Sequence, residues 1–396
     1  MDVLFLAHRA PYPPDKGDRL RAWRHLQRLA ALGPVDLVAQ ADSEADAAAA
    51  RPGLSSVCRE VHVFVRRRPA ALFSVGAALL AGGSLTLGWH RDGRVDAALD
   101  GLCARRDYGL LWSFSSGTAA WSGRCRARSR IMDLCDLDAL KWEALGASTR
   151  GARGLVYRTE AARLLPVELA LAAGADLTLV ITPGERDDLL ARGGRPRRVE
   201  VLTNGVPWQA LSGLPAPSAA GPVLGFLGQM DYPPNVEAAT FLAREVLPRV
   251  AAAVPGARLL IMGRAPAAEV RALAGGAVEV TGALDSVAAG LGRCAVFLSP
   301  LRSGRGLPNK ILEALAAGRA TVISPFCARA LSGTPGRDYL VADGAQAMAE
   351  SAVALLRDPR ACDALGAAGA AWVRSAHDWD DVLGRLERLA RETAHA

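Results

Sequence analysis

The chain has 396 residues, 51% of them hydrophobic, punctuated by 40 Gly and 23 Pro, which excludes a disordered or fibrous protein and suggests two domains rather than one. Its seven cysteines form no C-x-x-C pair, which argues for a reducing compartment and against a disulfide framework or a zinc site. Of the net charge of +7, six units sit in residues 1–205, with 29 Lys and Arg against 23 Asp and Glu; either acidic partners meet that half or it is a solvated basic surface.

In chain order, MDVLFLAHRAP opens with an apolar run too short for a signal peptide. Val3–Ala7 predicts a buried strand, followed by the loop His8–Asp18 and a helix over Arg19–Leu32, in which Leu20, Trp23, Leu26, Leu29 and Ala30 recur at helical spacing. Further strands are predicted at Val35–Ala39, Glu60–Val65, Gly109–Trp112, Arg130–Asp133 and Ala175–Ile181. Pro69–Trp89, behind Arg66–Arg68, approaches membrane-spanning length, but Gly76, Gly82, Gly83 and Gly88 interrupt it. It reads as a short helix, a turn and an extended piece.

Ala210–Pro222 lacks apolar periodicity and reads as a linker. The pattern then restarts with strands at Val223–Leu227, Arg258–Met262, Ala277–Val280, Ala295–Leu298 and Ala320–Ser324. Helices are predicted between them at Val236–Ala253, Ala267–Ala274, Ser286–Gly292 and Leu307–Ala317. The tail Ala345–Arg391 reads as helical, broken near Asp358–Pro359 and His377–Asp380. This alternation implies an α/β fold of two doubly wound parallel sheets. The expected domains are 1–208 and 223–376, with a linker at 209–222 and a last helix at 377–396.

Ligands of open α/β sheets bind beyond the carboxyl ends of the strands, and two facing domains would hold theirs in the cleft between them. The loops to inspect are therefore His8–Asp18, Asp133–Lys141, Gly228–Asn235, Gly263–Pro266, Gly282–Asp285 and Ser299–Pro308. In SPLRSGRGLPNKILEALAAGRATVIS (Ser299–Ser324), a strand passes through a Gly-rich loop into a helix. Backbone N–H groups at such a helix start attract an anion, Lys310 adds positive charge, and Glu313 shares a helical face with Asn309. Phosphate binding followed by a carboxylate for vicinal hydroxyls suits a nucleotide-sugar; the plainer alternative is an ordinary strand–helix connection.

In HRAPYPPDKGD, Gly17 permits close backbone approach, and Lys16 and Arg21 are placed to meet phosphate, unless this is only a Pro-stiffened loop. His8 stands at a strand end. Asp136-Leu137-Asp138 has the D-x-D form of metal-dependent transferases of another fold, and the paired-sheet pattern discounts it. Aspartates in this loop either act on a substrate or cap the next helix. No G-x-G-x-x-G follows a strand, which argues against a nicotinamide dehydrogenase, and G-x-S-x-G is absent. No two histidines have metal-ligand spacing, and the basic residues are not interleaved with aromatics, so neither a metal nor nucleic acid is expected.

The chain resembles the retaining glycosyltransferases of the GT-B fold, the glycosyl transferases group 1. The resemblance lies in seven segments in order: PYPPDKGDRLR, ADLTLVITPGERDDL (Ala175–Leu189), VEVLTNGVPW (Val199–Trp208), LGFLGQMDYPPNVEA, RLLIMGRAP, VEVTGALDSVAAGLGRCAVFLSPL and GRGLPNKILEALAAGRATVIS. In MDYPPNV, the GxxNKxLEA helix and DLCDLDALKW (Asp133–Trp142), it is similar to sugar transferases of bacterial exopolysaccharide and exosortase (PEP-CTERM) loci.

The resemblance implies transfer from a nucleotide-diphosphate sugar to a glycan or lipid-linked acceptor, with retention of configuration and without a metal cofactor. Donor-binding candidates are Gly17, Gly228, Asn235, Arg264, Gly282, Arg305, Gly306, Leu307, Asn309, Lys310 and Glu313; acceptor-binding candidates are His8, Lys16, Asp18 and Arg21. Glu313 falls on the family's ribose-holding Glu, whereas Arg305 replaces a Glu that touches the transferred sugar. The family's pyrophosphate-clamping Arg and Lys fall near Gln229 and Asn235, so Lys310 and Arg305 are expected to restore that charge. Asp133 or Asp136 lies where many relatives place a His near the reacting sugar; with Lys310, these are the catalytic candidates.

The tail after His377 is expected to pack on the first domain, anchored by Trp379. The expected location is cytoplasmic, with peripheral contact to an anionic inner membrane face through Arg66–Arg68 and the apolar segment after them. A GT-B epimerase or hydrolase, and a non-catalytic nucleotide-sugar-binding scaffold, are the alternatives.

Overall fold

The computed structural model describes residues 1–303 and 307–395. The chain divides into two compact units, residues 1–203 with 383–396, and residues 204–382.

The first unit carries β1 (Val3–Ala7), β2 (Val35–Ala41), β3 (Glu60–Val65), β4 (Tyr108–Phe114), β5 (Ala127–Cys135), β6 (Leu177–Val180) and β7 (Val199–Val201). They pair in parallel in the order β3-β2-β1-β4-β5-β6-β7. Each residue of β1 is buried, as an uninterrupted apolar VLFLA run requires of a strand covered on both faces. The order reverses between β1 and β4, the switch point beyond whose carboxyl ends ligands of such sheets bind.

The second unit carries β8 (Val223–Leu227), β9 (Arg258–Met262), β10 (Val278–Val280), β11 (Val296–Ser299), β12 (Ala320–Ile323) and β13 (Leu340–Val341), in the order β10-β9-β8-β11-β12-β13. Every pairing is parallel. Its switch point lies between β8 and β11. These are the two doubly wound sheets that the alternation implies. β7 and β13, three and two residues long, are strands that periodicity does not reveal.

Several local expectations change. The helix expected over Val236–Ala253 starts at Pro233 and widens at Leu242–Val246, which accommodates the missing N–H of Pro248. The expected linker contains the helical turns Trp208–Leu211 and Pro217–Ala220 and is fastened into the second unit. Asp363 accepts from the Ser218 backbone N–H (2.9 Å) and hydroxyl (2.8 Å), and buried Arg319 donates to the Pro215 carbonyl.

Pro69–Trp89 folds as helix Arg68–Leu80, a turn and a second short helix, Leu85–His90, in place of the extended piece. Glu160 supplies the reason: its carboxylate accepts from the Ser84 hydroxyl (2.6 Å) and from the N–H groups of Leu85 (2.6 Å) and Thr86 (2.9 Å). These are the groups that a helix start leaves unsatisfied. Among the described residues no helix is long and apolar enough to cross a membrane.

The final helix, Trp379–His395, belongs to the first unit from Leu383 onward, where Arg385–Glu200, Arg198–Glu392 and Arg28–Glu387 pair. Trp379 itself is buried in the second unit, against Gly205, where a Cβ would lie 2.5 Å from the indole. It therefore anchors the start of this helix, not its passage onto the first unit.

Candidate functional site

In the second unit, the loops after β8, β9 and β10 lean on one another through glycine backbone. Gly228 N–H donates to the Met262 carbonyl (2.9 Å), and Gly263 N–H to the Gly282 carbonyl (3.1 Å). Gly263 has φ +140°, and a Cβ there would lie 1.7 Å from the Gly228 carbonyl oxygen, so only glycine fits.

Beside this floor stands helix Asn309–Ala316, which buries Ile311, Leu312, Ala314, Leu315 and Ala316 and leaves Lys310 and Glu313 on its other face. Pro308 precedes the helix and supplies no side-chain cap, its carbonyl accepting from the Ile311 N–H (2.8 Å). Lys310 Nζ donates to Asn235 Oδ1 and lies 4.9 Å from the centre of the Phe226 ring. Asn235 Nδ2 donates onward to the Gln229 carbonyl (2.9 Å), and a Cβ on Gly228 would lie 3.1 Å from the ammonium. Burial lowers the Lys310 pKa to about 8 and raises that of Glu313 to about 7. Asn309 Oδ1 accepts from Asn204 Nδ2 (3.1 Å). The result is a half-buried cation over a glycine floor, one helical turn from a carboxylate, an arrangement suited to phosphate and vicinal hydroxyls.

In the first unit, the loops after β1, β4 and β5 carry His8, Ser115–Gly117 and Cys135–Asp138. The His8 ring stacks on Phe114 (6.2 Å) and meets the edge of His90 (5.7 Å). Burial holds its pKa below the usual histidine value although Asp18 pulls upward. The register slips between Asp133 and Cys135, with Cys135 at φ +65°, and this bulge presents Asp136. Burial, then Asp138 and Glu185, raise the Asp136 carboxyl to about 7. Ser116 Oγ donates to Asp138 Oδ2 (2.6 Å).

The helix after this loop, Asp138–Ser148, is capped from elsewhere. Glu185 takes the Leu137 N–H (3.0 Å), and Glu168 those of Asp138 (2.8 Å) and Ala139 (3.2 Å). Asp136 and Asp138 are thereby released from the capping role that was their plainer alternative.

The segment spanning the β8–β11 switch matches a known family. Residues 221–358 fit the family model of glycosyl transferases group 1. The matched segment carries β8 to β13. A phosphatidyl-myo-inositol mannosyltransferase of Mycobacterium leprae is 33% identical over 205 residues, 49% of this chain and 53% of that protein. The chain thus spans about half the length of the curated relative it matches. The Anabaena HepE structure in complex with UDP and glucose superposes with a TM-score of 0.67 at 15% identity, covering 99% of this chain and 100% of that one. Sucrose-phosphate synthase from Thermosynechococcus elongatus superposes with a TM-score of 0.71 at 17% identity, covering 99% and 98%. The fold is GT-B.

Within the matched segment, Gly228, Asn235, Gly282, Asn309, Lys310 and Glu313 come from loops and a helix start that adjoin. Leu307 is buried at the helix start, and Arg264 is exposed, its carbonyl accepting from Met230 N–H (3.0 Å). Arg305 and Gly306 lie outside the described residues. In the first unit, Lys16 and Gly17 are exposed at the start of helix Gly17–Ala30, and Asp18 pairs with Arg9 (2.8 Å).

Arg21 and Asp133 require correction. Both are wholly buried: Arg21 donates through Nε (3.1 Å) and Nη2 (3.0 Å) to Asp133, and through Nη1 to the Leu202 carbonyl (2.7 Å). His25 Nδ1 completes the cluster, 3.1 Å from Asp133 Oδ2. Arg21 cannot reach an acceptor from there, and Asp133 cannot meet a sugar. Glu168 and Glu185, which hold the helix start beside Asp136, are neighbours that no motif pointed to, whereas the literal D-x-D pattern included Asp138.

Proposed function

We propose that the chain transfers a sugar from a nucleotide-diphosphate sugar to a glycan or lipid-linked acceptor, with retention of configuration, in exopolysaccharide assembly. The observation that carries this reading is the Lys310 ammonium, held by Asn235 over Gly228 within the segment that fits the group 1 family model. In this reading the second unit binds the donor, Lys310 and the start of its helix receiving the diphosphate and Glu313 the ribose hydroxyls.

The C1–oxygen bond to the diphosphate breaks, the acceptor oxygen bonds C1, and Asp136 takes the acceptor's proton. Asp136 is suited to this because its raised pKa makes it a better base than an ordinary aspartate. Lys310 supplies the charge that a metal supplies in other transferases, so activity is expected to survive EDTA. A nucleotide-sugar donor fits a cytoplasmic reaction, and a lipid-linked acceptor fits one at an anionic membrane surface.

UDP and UDP-glucose are the ligands named for HepE structures, which makes UDP-sugars the first donors to test. The experiment measures nucleoside diphosphate release from a panel of nucleotide-sugars, with and without a polyprenyl-diphosphate-linked sugar. Acceptor-dependent release supports transfer. Release that ignores the acceptor overturns it in favour of a hydrolase or epimerase, and no binding of any donor favours a scaffold. NMR of the product's anomeric proton tests retention.

A further inference from the structure

Seven of the twelve large apolar side chains that stand exposed among the described residues lie on two helical hairpins of the first unit. On helix Arg68–Leu80 these are Leu72 (62% exposed), Phe73 (81%), Leu79 and Leu80 (93%). Leu72 and Leu79, and likewise Phe73 and Leu80, are seven residues apart and so share one face. The opposite face is used internally: Gly88 of the following helix packs so closely that a Cβ would lie 3.0 Å from Val75 and 3.1 Å from Ala78.

The second hairpin joins helix Asp138–Ser148 to helix Gly151–Gly174 and exposes Leu145, Leu155 (59%) and Val156. The two hairpins are fastened together. Glu160, one turn after Val156, holds residues 84–86, and Arg163 Nη1 donates to the Gly83 carbonyl (3.2 Å).

The charge beside these apolar side chains is basic, the exposed Glu143 of the second hairpin being paired with Arg192 (2.8 Å). Residues 66–91 and 144–159 contain no Asp or Glu, while Arg67, Arg68, Arg150 and Arg153 are exposed among the apolar side chains. Arg66, expected to act with Arg67 and Arg68, is turned inward, paired with Asp42 and stacked on Trp89 at 5.3 Å.

We propose that these two hairpins form a docking surface for an anionic lipid bilayer, with Leu72, Phe73, Leu79, Leu80, Leu155 and Val156 entering the interface and the four arginines meeting the headgroups. An exposed aromatic and several leucines amid arginines, with no carboxylate among them, match what binds the interfacial zone of anionic membranes. A protein partner with an acidic face would leave this apolar area without a counterpart. The proposal deepens the functional reading by naming where a lipid-linked acceptor is met, and it can be tested without turnover.

The test floats the full chain with vesicles of phosphatidylcholine alone or with phosphatidylglycerol, at low and high salt. Nucleoside diphosphate binding, followed by thermal shift, reports separately on fold and donor site. Binding to anionic vesicles only, weakened by salt, is expected. Phe73→Ser with Leu80→Ser should lower partitioning at least tenfold, and Arg67→Gln with Arg68→Gln roughly tenfold or more, both with thermal shifts intact. Leu155→Ser with Arg153→Gln is a second variant against misfolding in the first hairpin. Absence of vesicle binding, or binding unchanged in all three variants, would overturn the proposal. So would a dimer that Phe73→Ser with Leu80→Ser dissociates while vesicles are ignored. Loss of diphosphate binding with vesicle binding retained would count against the functional reading alone.

Discussion

The Lys310 ammonium donates to the Asn235 side-chain carbonyl, and the Asn235 amide donates in turn to the Gln229 backbone carbonyl at 2.9 Å. Asn235 is neutral and cannot itself clamp phosphate as a cation would; in the proposed reaction it aims Lys310. Lys310→Met removes the charge, and kcat/KM for the donor should fall roughly 10²–10³-fold, the usual scale for losing one preorganised charge at a leaving group. Asn235→Ala keeps the charge and loses its aim, so about a tenfold loss is expected. Steady-state kinetics of both variants check this.

The pH profile follows from two shifted groups. Asp136 must be ionised to take a proton, and its pKa is raised to about 7, so activity should rise as pH passes through that value. Lys310 must be protonated to meet diphosphate, and its pKa is lowered to about 8, so activity should fall above it. A narrow bell in kcat/KM is expected, and Asp136→Asn should lower the maximum and abolish the acid limb.

Arg21, Asp133 and His25 make the first unit acid-sensitive. Burial and Arg21 hold the His25 pKa near 4, so below pH 6.5 the unfolded chain takes up a proton that the folded chain refuses. Stability should fall by about 3 kcal/mol between pH 6.5 and pH 4 from this group, and His25→Phe should flatten that loss in urea titrations. Asp133, held below the usual carboxylate range by Arg21 and His25 despite burial, adds a loss in the same direction. Arg21→Met strands the Asp133 charge and should cost about 3–5 kcal/mol.

Gly263→Ala tests the glycine floor. Its Cβ collides with the Gly228 carbonyl, and its φ of +140° is strained for any side chain. Diphosphate affinity should fall at least about tenfold, with a lower Tm. Gly174→Ala, where a Cβ meets nothing within 4 Å, is the control.

The parts of the fold legible in the sequence are those written locally. VLFLA and VLGFL are buried apolar runs, and both are central strands. The two short strands were hidden because three residues carry no period. Arg21 and Asp133, 112 residues apart, look like surface and loop charges until the sheet brings them together. Glu168, inside a long helix, carries no local sign that it caps a helix start thirty residues earlier. Lys310 and Glu313 were legible because one helical turn fixes their relation whatever the rest of the chain does.

In the proposed reaction Lys310 receives the donor's diphosphate. Calorimetric titration of the wild type and Lys310→Met with UDP, GDP and ADP tests it directly, with circular dichroism confirming that both chains are folded. One diphosphate should bind the wild type, and bind the variant at least about thirtyfold more weakly. Equal affinity in the two proteins, or no diphosphate bound by the wild type, would contradict it.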